Sequence, residues 1–321
     1  MNTLGQPGIK ELIRNHFSRD IVAEVYNDMR SGFRSSEPVL DDIISDVLSK
    51  QGKGVRPLFM ALIAELVGGD WDALRQAAVV VEAIHLSSLM HDDVVDGSDL
   101  RRGKETLNAR HSDKVSVLFG DHIFHSALVL AGKLDHPEAG EIVHTAVKRM
   151  IEGEILDSLN ERIIDEATYI RIIGNKTASL FAAAAELGVV FSNTNGDHRV
   201  WAREMGELVG TAFQIVDDTL DFKGSEDVMG KPALMDMLAG NMTLPLIYSL
   251  NGLSDADSRE ILDGTPEDMA SFVREKGGIE YSMNKAVGYL EDARLIKDRF
   301  DSSPGNTALD SLFDLLMNRQ S

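Results

Sequence analysis

A chain of 321 residues is long enough to build a sizeable core without disulfides or an obligatory partner. Its 32 basic side chains against 52 acidic ones give a formal charge of −20, which repels the phosphates that nucleic-acid binding depends on and excludes a general DNA or RNA binder. Cysteine is absent, so disulfides, thiolate zinc sites and a cysteine nucleophile are excluded together, and a reducing compartment, the cytoplasm, is the expected location.

The segment MNTLGQPGIKELIRNHF lacks the apolar centre of a signal peptide, and no apolar run approaches the roughly 18 residues of a spanning helix, so a soluble chain is expected. Only eight prolines occur, none of them between Pro57 and Pro137 or between Pro137 and Pro232. With apolar residues recurring at spacings of three and four, the whole chain reads as α-helical.

Helices are predicted over about 9–30, 39–50 and 55–68. The third is entered through Gly52-Lys53-Gly54-Val55-Arg56-Pro57, where Lys and Arg sit beside backbone N–H groups that favour an anion. The glycine spacing of a P-loop is missing. The next helix, 71–97, carries Val81, His85, Ser88, Asp92 and Asp96 on one side, and Arg101-Arg102-Gly103-Lys104 follows after a break at Gly97. Two adjacent arginines beside a carboxylate cluster suit a second phosphate group. Further helices are predicted over 114–133, 138–159, 166–192 and 205–222. In the last of these Met205, Leu208, Val209, Ala212, Phe213, Val216 and Leu220 form one apolar stripe. The Gly- and Asp-rich stretch from Lys223 to Thr243 reads as a long loop of the kind that covers active sites. Thr265-Pro266-Glu267-Asp268 reads as the cap of a helix over 266–275, and helices over 279–300 and 307–318 complete the chain. Without internal repeats or a linker, residues 1–321 read as a single large helical domain.

Asp92-Asp93-Val94-Val95-Asp96 and Asp217-Asp218-Thr219-Leu220-Asp221 repeat one pattern, in which the first and last carboxylates share a helix face. A single such motif in so acidic a chain reads as a solvated helix face. Two copies, both on apolar stripes, predict buried like charges that need cations. Carboxylate oxygens are the ligands Mg²⁺ prefers, and Mg²⁺ commonly bridges a few carboxylates to substrate phosphates. Two such faces opposed across a cleft make a clamp for a diphosphate.

GKGVRP (52–57), HLSSLMHDDVVDGSDLRRGK (85–104), GNKTASLF (174–181), GTAFQIVDDTLDF (210–222), GKP (230–232) and TLP (243–245) stand in the order found in the all-trans isoprenyl diphosphate synthases, or polyprenyl synthetases, which the chain resembles over about residues 40 to 250. The resemblance implies an all-α antiparallel bundle around a central cavity, the isoprenoid synthase type. It implies that Asp92, Asp93, Asp96, Asp217, Asp218 and Asp221 hold three Mg²⁺ ions on an allylic diphosphate. Lys53, Arg56, His85 and Arg102 would bind isopentenyl diphosphate. Arg101, Lys176, Thr177, Gln214 and Lys231 would support the allylic diphosphate. The implied reaction is ionisation of the allylic C–O bond, attack by the alkene of isopentenyl diphosphate and loss of a proton, leaving a trans product longer by one isoprene unit. Asp157 and Asn241 depart from the family pattern, where many members have Gln and Lys.

In relatives that stop early, a bulky aromatic commonly stands at the position of Ser88 or Ser87, and short-chain bacterial relatives carry two extra residues inside the first Asp motif. Both features are missing, which favours a medium or long product such as a quinone side-chain precursor, with a floor among Ile142, Val143 and Val147. A farnesyl or geranylgeranyl diphosphate synthase is the alternative within the class. A terpene cyclase and a non-catalytic subunit are the alternatives outside it, and a homodimer with transient membrane contact for product release is the expected form.

Overall fold

The computed structural model describes residues 8–49, 51–101, 103–159, 163–192, 194, 196–222, 241–301 and 303–318. The first predicted helix is two, α1 (Ile9–His16) and α2 (Ile21–Gly32). Asp20 accepts a hydrogen bond from the Ala23 N–H at 2.9 Å and so starts a new helix inside what reads as one amphipathic run. Next come α3 (Pro38–Ser49), α4 (Val55–Leu66) and α5 (Trp71–Val95), close to the predicted bounds. Asp96 caps α5, and Gly97, with φ of 60°, turns the chain away.

The expectation of a wholly helical chain needs one correction. An antiparallel ribbon, β1 (Leu100–Arg101) and β2 (Lys104–Glu105), follows α5, and Gly103 at φ 70° supplies its left-handed turn. Strands of two residues are too short to show an alternating pattern. Beyond the ribbon are α6 (Leu107–Arg110), α7 (Asp113–Ala131) and α8 (Ala139–Leu159). The predicted helix 166–192 is α9 (Glu166–Ile173), a π-helical segment Gly174–Ala178 and α10 (Ser179–Val190). α11 (Gly196–Asp221) starts earlier than its apolar stripe, and two short helices the periodicity did not reveal, α12 (Leu244–Leu250) and α13 (Asp255–Leu262), come next. α14 (Pro266–Lys276), α15 (Gly278–Lys297) and α16 (Pro304–Met317) close the chain. Thr265 caps α14 as its sequence indicates, accepting from the Asp268 N–H at 3.2 Å. The predicted covering loop lies outside the described residues apart from 241–243.

The bundle is built around α10, which is buried on every side from Ser179 to Val189 and packs on α4, α5, α8 and α11. Its alanines let neighbouring backbones approach. A Cβ on Gly206 or Gly210 of α11 would lie 2.5 Å from the Cα of Ala182 or Ala178, and one on Gly188 would lie 2.7 Å from the Met60 carbonyl of α4. Overpacking such contacts costs about 1–3 kcal/mol. A smaller apolar cluster of Phe222, Leu246, Leu250, Leu262, Met269 and Val273 joins α12, α13 and α14 to the end of α11. Against the expectation that no segment comes near a spanning helix, α7 has the length and apolar composition of one, although it carries Asp113, Lys114 and Asp121 and lies along α5.

Candidate active site

α5 runs for 25 residues from its cap at Asp70 without a proline or glycine, so its last two turns project carboxylates from a rigid rod. α11, with 26 residues, does the same from the other side of the bundle. Between them lies a cavity of about 510 Å³, lined by Asp92 and Asp96 from α5 and by Asp217 and Asp218 from α11. The two motifs therefore face each other, as their spacing predicts. Not every member of the two sets lines this cavity. Asp93 is buried and turns toward a second cavity, where Arg101 Nε donates to its Oδ1 at 2.7 Å. Asp221 is buried and lines neither cavity, while Asp96 and Asp217 are exposed rather than buried.

Asp218 is held from two sides. Tyr169 donates to its Oδ2 at 2.5 Å, and Gln214 Nε2 donates to its Oδ1 at 2.7 Å. Gln214 in turn accepts from the Thr177 hydroxyl at 2.7 Å. The sequence-derived pair Thr177 and Gln214 thus forms one relay that fixes the second carboxylate motif. Asp92 is in the opposite condition. Burial pushes its carboxyl up to about 7, Lys176 and Arg101 opposing the rise and Glu154 and Asp96 adding to it. A carboxyl so reluctant to ionise marks a place where positive charge is wanted.

Lys176 supplies part of that charge. Its Nζ lies 2.8 Å from Glu154 Oε2 and 3.1 Å from Asp157 Oδ2. Burial alone would lower its pKa, but Glu154 and Asp157 hold it above the ordinary lysine value. It stands on the π-helical segment, whose widened ladder is secured by Arg149 of α8. Arg149 donates to the Gly174 carbonyl at 3.0 Å and to Asn175 Oδ1 at 3.1 Å, and its guanidinium pairs with Glu207. A Cβ on Gly153 would lie 2.5 Å from the Lys176 backbone nitrogen, so only glycine lets α8 press so close.

The second cavity, of about 460 Å³, is lined by Lys53, Arg56, His85 and Arg101, and also by Lys104 and Arg110, which sequence reasoning did not assign. Arg110 pairs with Asp46 at 2.5 Å. Arg56 is buried with its guanidinium 4.6 Å from the Phe181 ring centre. Arg56, His85, Arg101 and Phe213 line both cavities, so the two compartments share a wall. Arg102 and Lys231 lie outside the described residues.

Away from its carboxylates the first cavity becomes apolar, walled by Phe124 of α7, Val147 and Met150 of α8 and Ile172 and Ile173 of α9. Ser88 lines it, with its hydroxyl on the His85 carbonyl at 2.9 Å. Ser87 lines it too; it is 1% exposed, and its hydroxyl donates to the Gly120 carbonyl at 2.9 Å, so it also packs α5 on α7. Of the expected floor residues only Val147 reaches the cavity; Ile142 and Val143 are buried away from it. In this cavity Glu154, Tyr169 and Phe124 are among the residues that sequence reasoning missed. Asn241, one of the departures, lines the first cavity.

Among the described residues no three carboxylate or imidazole groups converge closely enough to hold a bare cation. The donors are hard oxygens on two opposed walls. They fit Mg²⁺ that is completed by oxygens of a bound diphosphate, as Mg²⁺ sites at phosphates generally are.

Residues 37–274 match the profile of the family described as polyprenyl synthetase. Over 311 residues, 94% of this chain and 95% of the relative, the sequence is 33% identical to the heptaprenyl diphosphate synthase component 2 of Geobacillus stearothermophilus. It is 31% identical to the octaprenyl diphosphate synthase of Escherichia coli (strain K12), over 85% of this chain and 88% of the relative. The fold is similar to the crystal structure of a polyprenyl synthase from Caulobacter crescentus CB15 complexed with calcium and isoprenyl diphosphate, at a TM-score of 0.89 and 31% identity, covering 99% of both chains.

Proposed function

As the chain belongs to the polyprenyl synthetase family and is a trans-prenyltransferase, we propose that it condenses isopentenyl diphosphate with an allylic prenyl diphosphate and makes a medium- or long-chain all-trans polyprenyl diphosphate. The observation that carries this reading is the pair of cavities with a common wall. One offers opposed carboxylates above an apolar depth, and the other offers a basic cradle.

Asp92, Asp93, Asp96, Asp217, Asp218 and Asp221 would hold Mg²⁺, about three ions by family likeness, and of these Asp92, Asp96, Asp217 and Asp218 line the first cavity. When bound, the metal neutralises charge that develops on the departing diphosphate. Lys176 and Arg101 add fixed positive charge on the same side, with Lys231 completing the set, and the Thr177–Gln214 relay keeps Asp218 aimed. Lys53, Arg56, His85 and Arg102 hold isopentenyl diphosphate in the second cavity. Its alkene attacks the allylic carbon across the shared wall near Phe213, and the proton lost from the adduct goes to the released diphosphate. The apolar lining excludes water from the cation and takes the growing tail. No nucleophilic side chain is needed.

The length of the product follows from that lining. No aromatic stands at Ser88, so the tail passes α5 and runs on toward Phe124, Val147 and Met150. Heptaprenyl and octaprenyl relatives support the same length class. The basic second cavity speaks against a cyclase, which has no use for isopentenyl diphosphate, and the intact acidic motifs speak against a non-catalytic subunit.

The chain works as a homodimer. α7 exposes Leu118, Leu128 and Val129, and α8 exposes Ile155 and Leu159 four residues apart; these are apolar faces that a second copy would cover. The acidic, cysteine-free chain acts in the cytoplasm and meets the membrane transiently when its apolar product leaves.

Labelled isopentenyl diphosphate incorporation with farnesyl diphosphate as primer, titrated with Mg²⁺ and then chelated, tests the reaction. Metal-dependent extension that is lost in Asp92→Ala and Asp217→Ala is expected. Extension at near-normal rates in either variant would return that motif to a solvated helix face.

A further inference from the structure

Tyr26 of α2 is 2% exposed in the wall of the second cavity, and its hydroxyl is used in both directions. It donates to Glu82 Oε1 at 2.9 Å and accepts from the backbone N–H of Gly52 at 2.8 Å. One turn earlier on the same face of α2 is Val22. A Cβ on Gly54, whose φ is 62°, would lie 2.4 Å from Val22 Cγ2, so the loop and α2 are in closest contact there as well. Residues 22 and 26 share a helix face. That face grips the loop on both sides of Lys53, at Gly52 and at Gly54. Glu82, 3% exposed, stands on α5 one turn before His85. The hydroxyl of Tyr26 therefore ties the loop that carries Lys53 to the helix that carries His85.

From this juxtaposition we infer that Tyr26, anchored on Glu82, is a positioning residue that sets Lys53 against His85 and Arg56 for the diphosphate of isopentenyl diphosphate. Tyr26 itself need not touch the substrate. Lys53 is exposed on a loop, and the long flexible stem of a lysine is placed only as well as the backbone that carries it. Fixing the backbone on both sides of it removes part of that freedom before the ligand arrives. The inference rests on the reading of the second cavity as the isopentenyl diphosphate subsite.

The test is steady-state kinetics on Tyr26→Phe, which keeps the buried ring and removes the hydroxyl, with Lys53→Ala and the double variant alongside. Tyr26→Phe is expected to raise KM for isopentenyl diphosphate roughly fivefold, the size of one hydrogen bond, while kcat and KM for the allylic primer stay within about twofold. The rise is expected to shrink when Lys53 is already alanine, since Tyr26 acts through it. If Lys53→Ala raises that KM and Tyr26→Phe does not, the positioning role is wrong and the subsite reading stands. If Lys53→Ala also leaves it unchanged, the subsite reading fails. A uniform loss in both substrates and kcat would reduce Tyr26 to a core residue. Should Tyr26→Phe not fold, Val22→Ala loosens the same grip and must show the same selective rise, and no such rise would overturn the proposal.

Discussion

The hydroxyl of Tyr169 on α9 lies 2.5 Å from Oδ2 of Asp218 on α11, and Gln214 occupies the other carboxylate oxygen at 2.7 Å. One carboxylate of the proposed metal site is thus oriented from two helices. Groups that orient a metal ligand typically contribute about 10–100-fold in affinity or activity. Tyr169→Phe is therefore expected to lower kcat at least roughly tenfold and to raise the Mg²⁺ concentration for half-maximal rate. A Mg²⁺ titration of the variant checks both, and wild-type values would show that Asp218 needs no such support.

Asp92 sets a pH dependence of known sign. Its folded-state value, about 7, stands above the ordinary carboxyl value of 3.8. Its contribution to stability is fully present below the lower value and is lost as pH rises through the upper one. The metal-free chain should therefore lose part of its thermal stability as pH rises from about 4 to about 7.5, a change that Asp92→Asn abolishes. Groups held low, such as Glu24 and Glu166, lose their contribution only at more acidic pH. Metal must displace the Asp92 proton below pH 7, so apparent Mg²⁺ affinity should fall as pH drops from about 8 to 6. Melting curves and metal titrations across that range provide the check.

Gly153 is the point where α8 meets the π-helical segment, a Cβ there falling 2.5 Å from the backbone nitrogen of Lys176. Gly153→Ala must displace one of two backbones. A stability loss of about 1–3 kcal/mol is expected, together with a drop in kcat larger than any change in substrate KM, because Lys176 moves off the departing diphosphate. Chemical denaturation and steady-state kinetics on the same preparation separate the two effects. Unchanged kcat would mean that Lys176 tolerates the shift.

Chain length should respond to the cavity wall in both directions. Ser88→Phe places a ring beside the first carboxylate motif and is expected to shorten the product at similar metal dependence. Phe124→Ala opens the deep end and is expected to lengthen it. Dephosphorylated products separated by chain length give the answer, and an unchanged distribution in both variants would place the tail elsewhere.

Much of this site is legible in the sequence, because carboxylates at helical spacing on apolar stripes announce both their face and their need for cations. Which members of each motif reach the cavity is not legible. Asp93 is drawn to the other side by Arg101, whose position depends on a ribbon with strands of two residues that no periodicity reveals. Glu154 passes unnoticed because an acid on an acidic helix carries no signal until Lys176 is found 2.8 Å away. Tyr169 reads as a core aromatic of α9, and it is one by burial; only the tertiary placement of Asp218 gives its hydroxyl a role. The split of the first predicted helix at Asp20 has the same origin, since a capping side chain competes locally with an unbroken apolar pattern. The short helices α12 and α13, of seven and eight residues, hold too few turns for a stripe to stand out.

The central claim is that one cavity ionises an allylic diphosphate and houses a growing tail while the other delivers isopentenyl diphosphate. The most direct test incubates the purified chain with Mg²⁺, labelled isopentenyl diphosphate and, separately, dimethylallyl, geranyl, farnesyl and geranylgeranyl diphosphates, and resolves the dephosphorylated products by length. A ladder that ends at one heptaprenyl or longer alcohol is predicted. Termination at farnesol or geranylgeraniol would contradict the open tail cavity, and no extension from any primer would contradict the paired-cavity account itself.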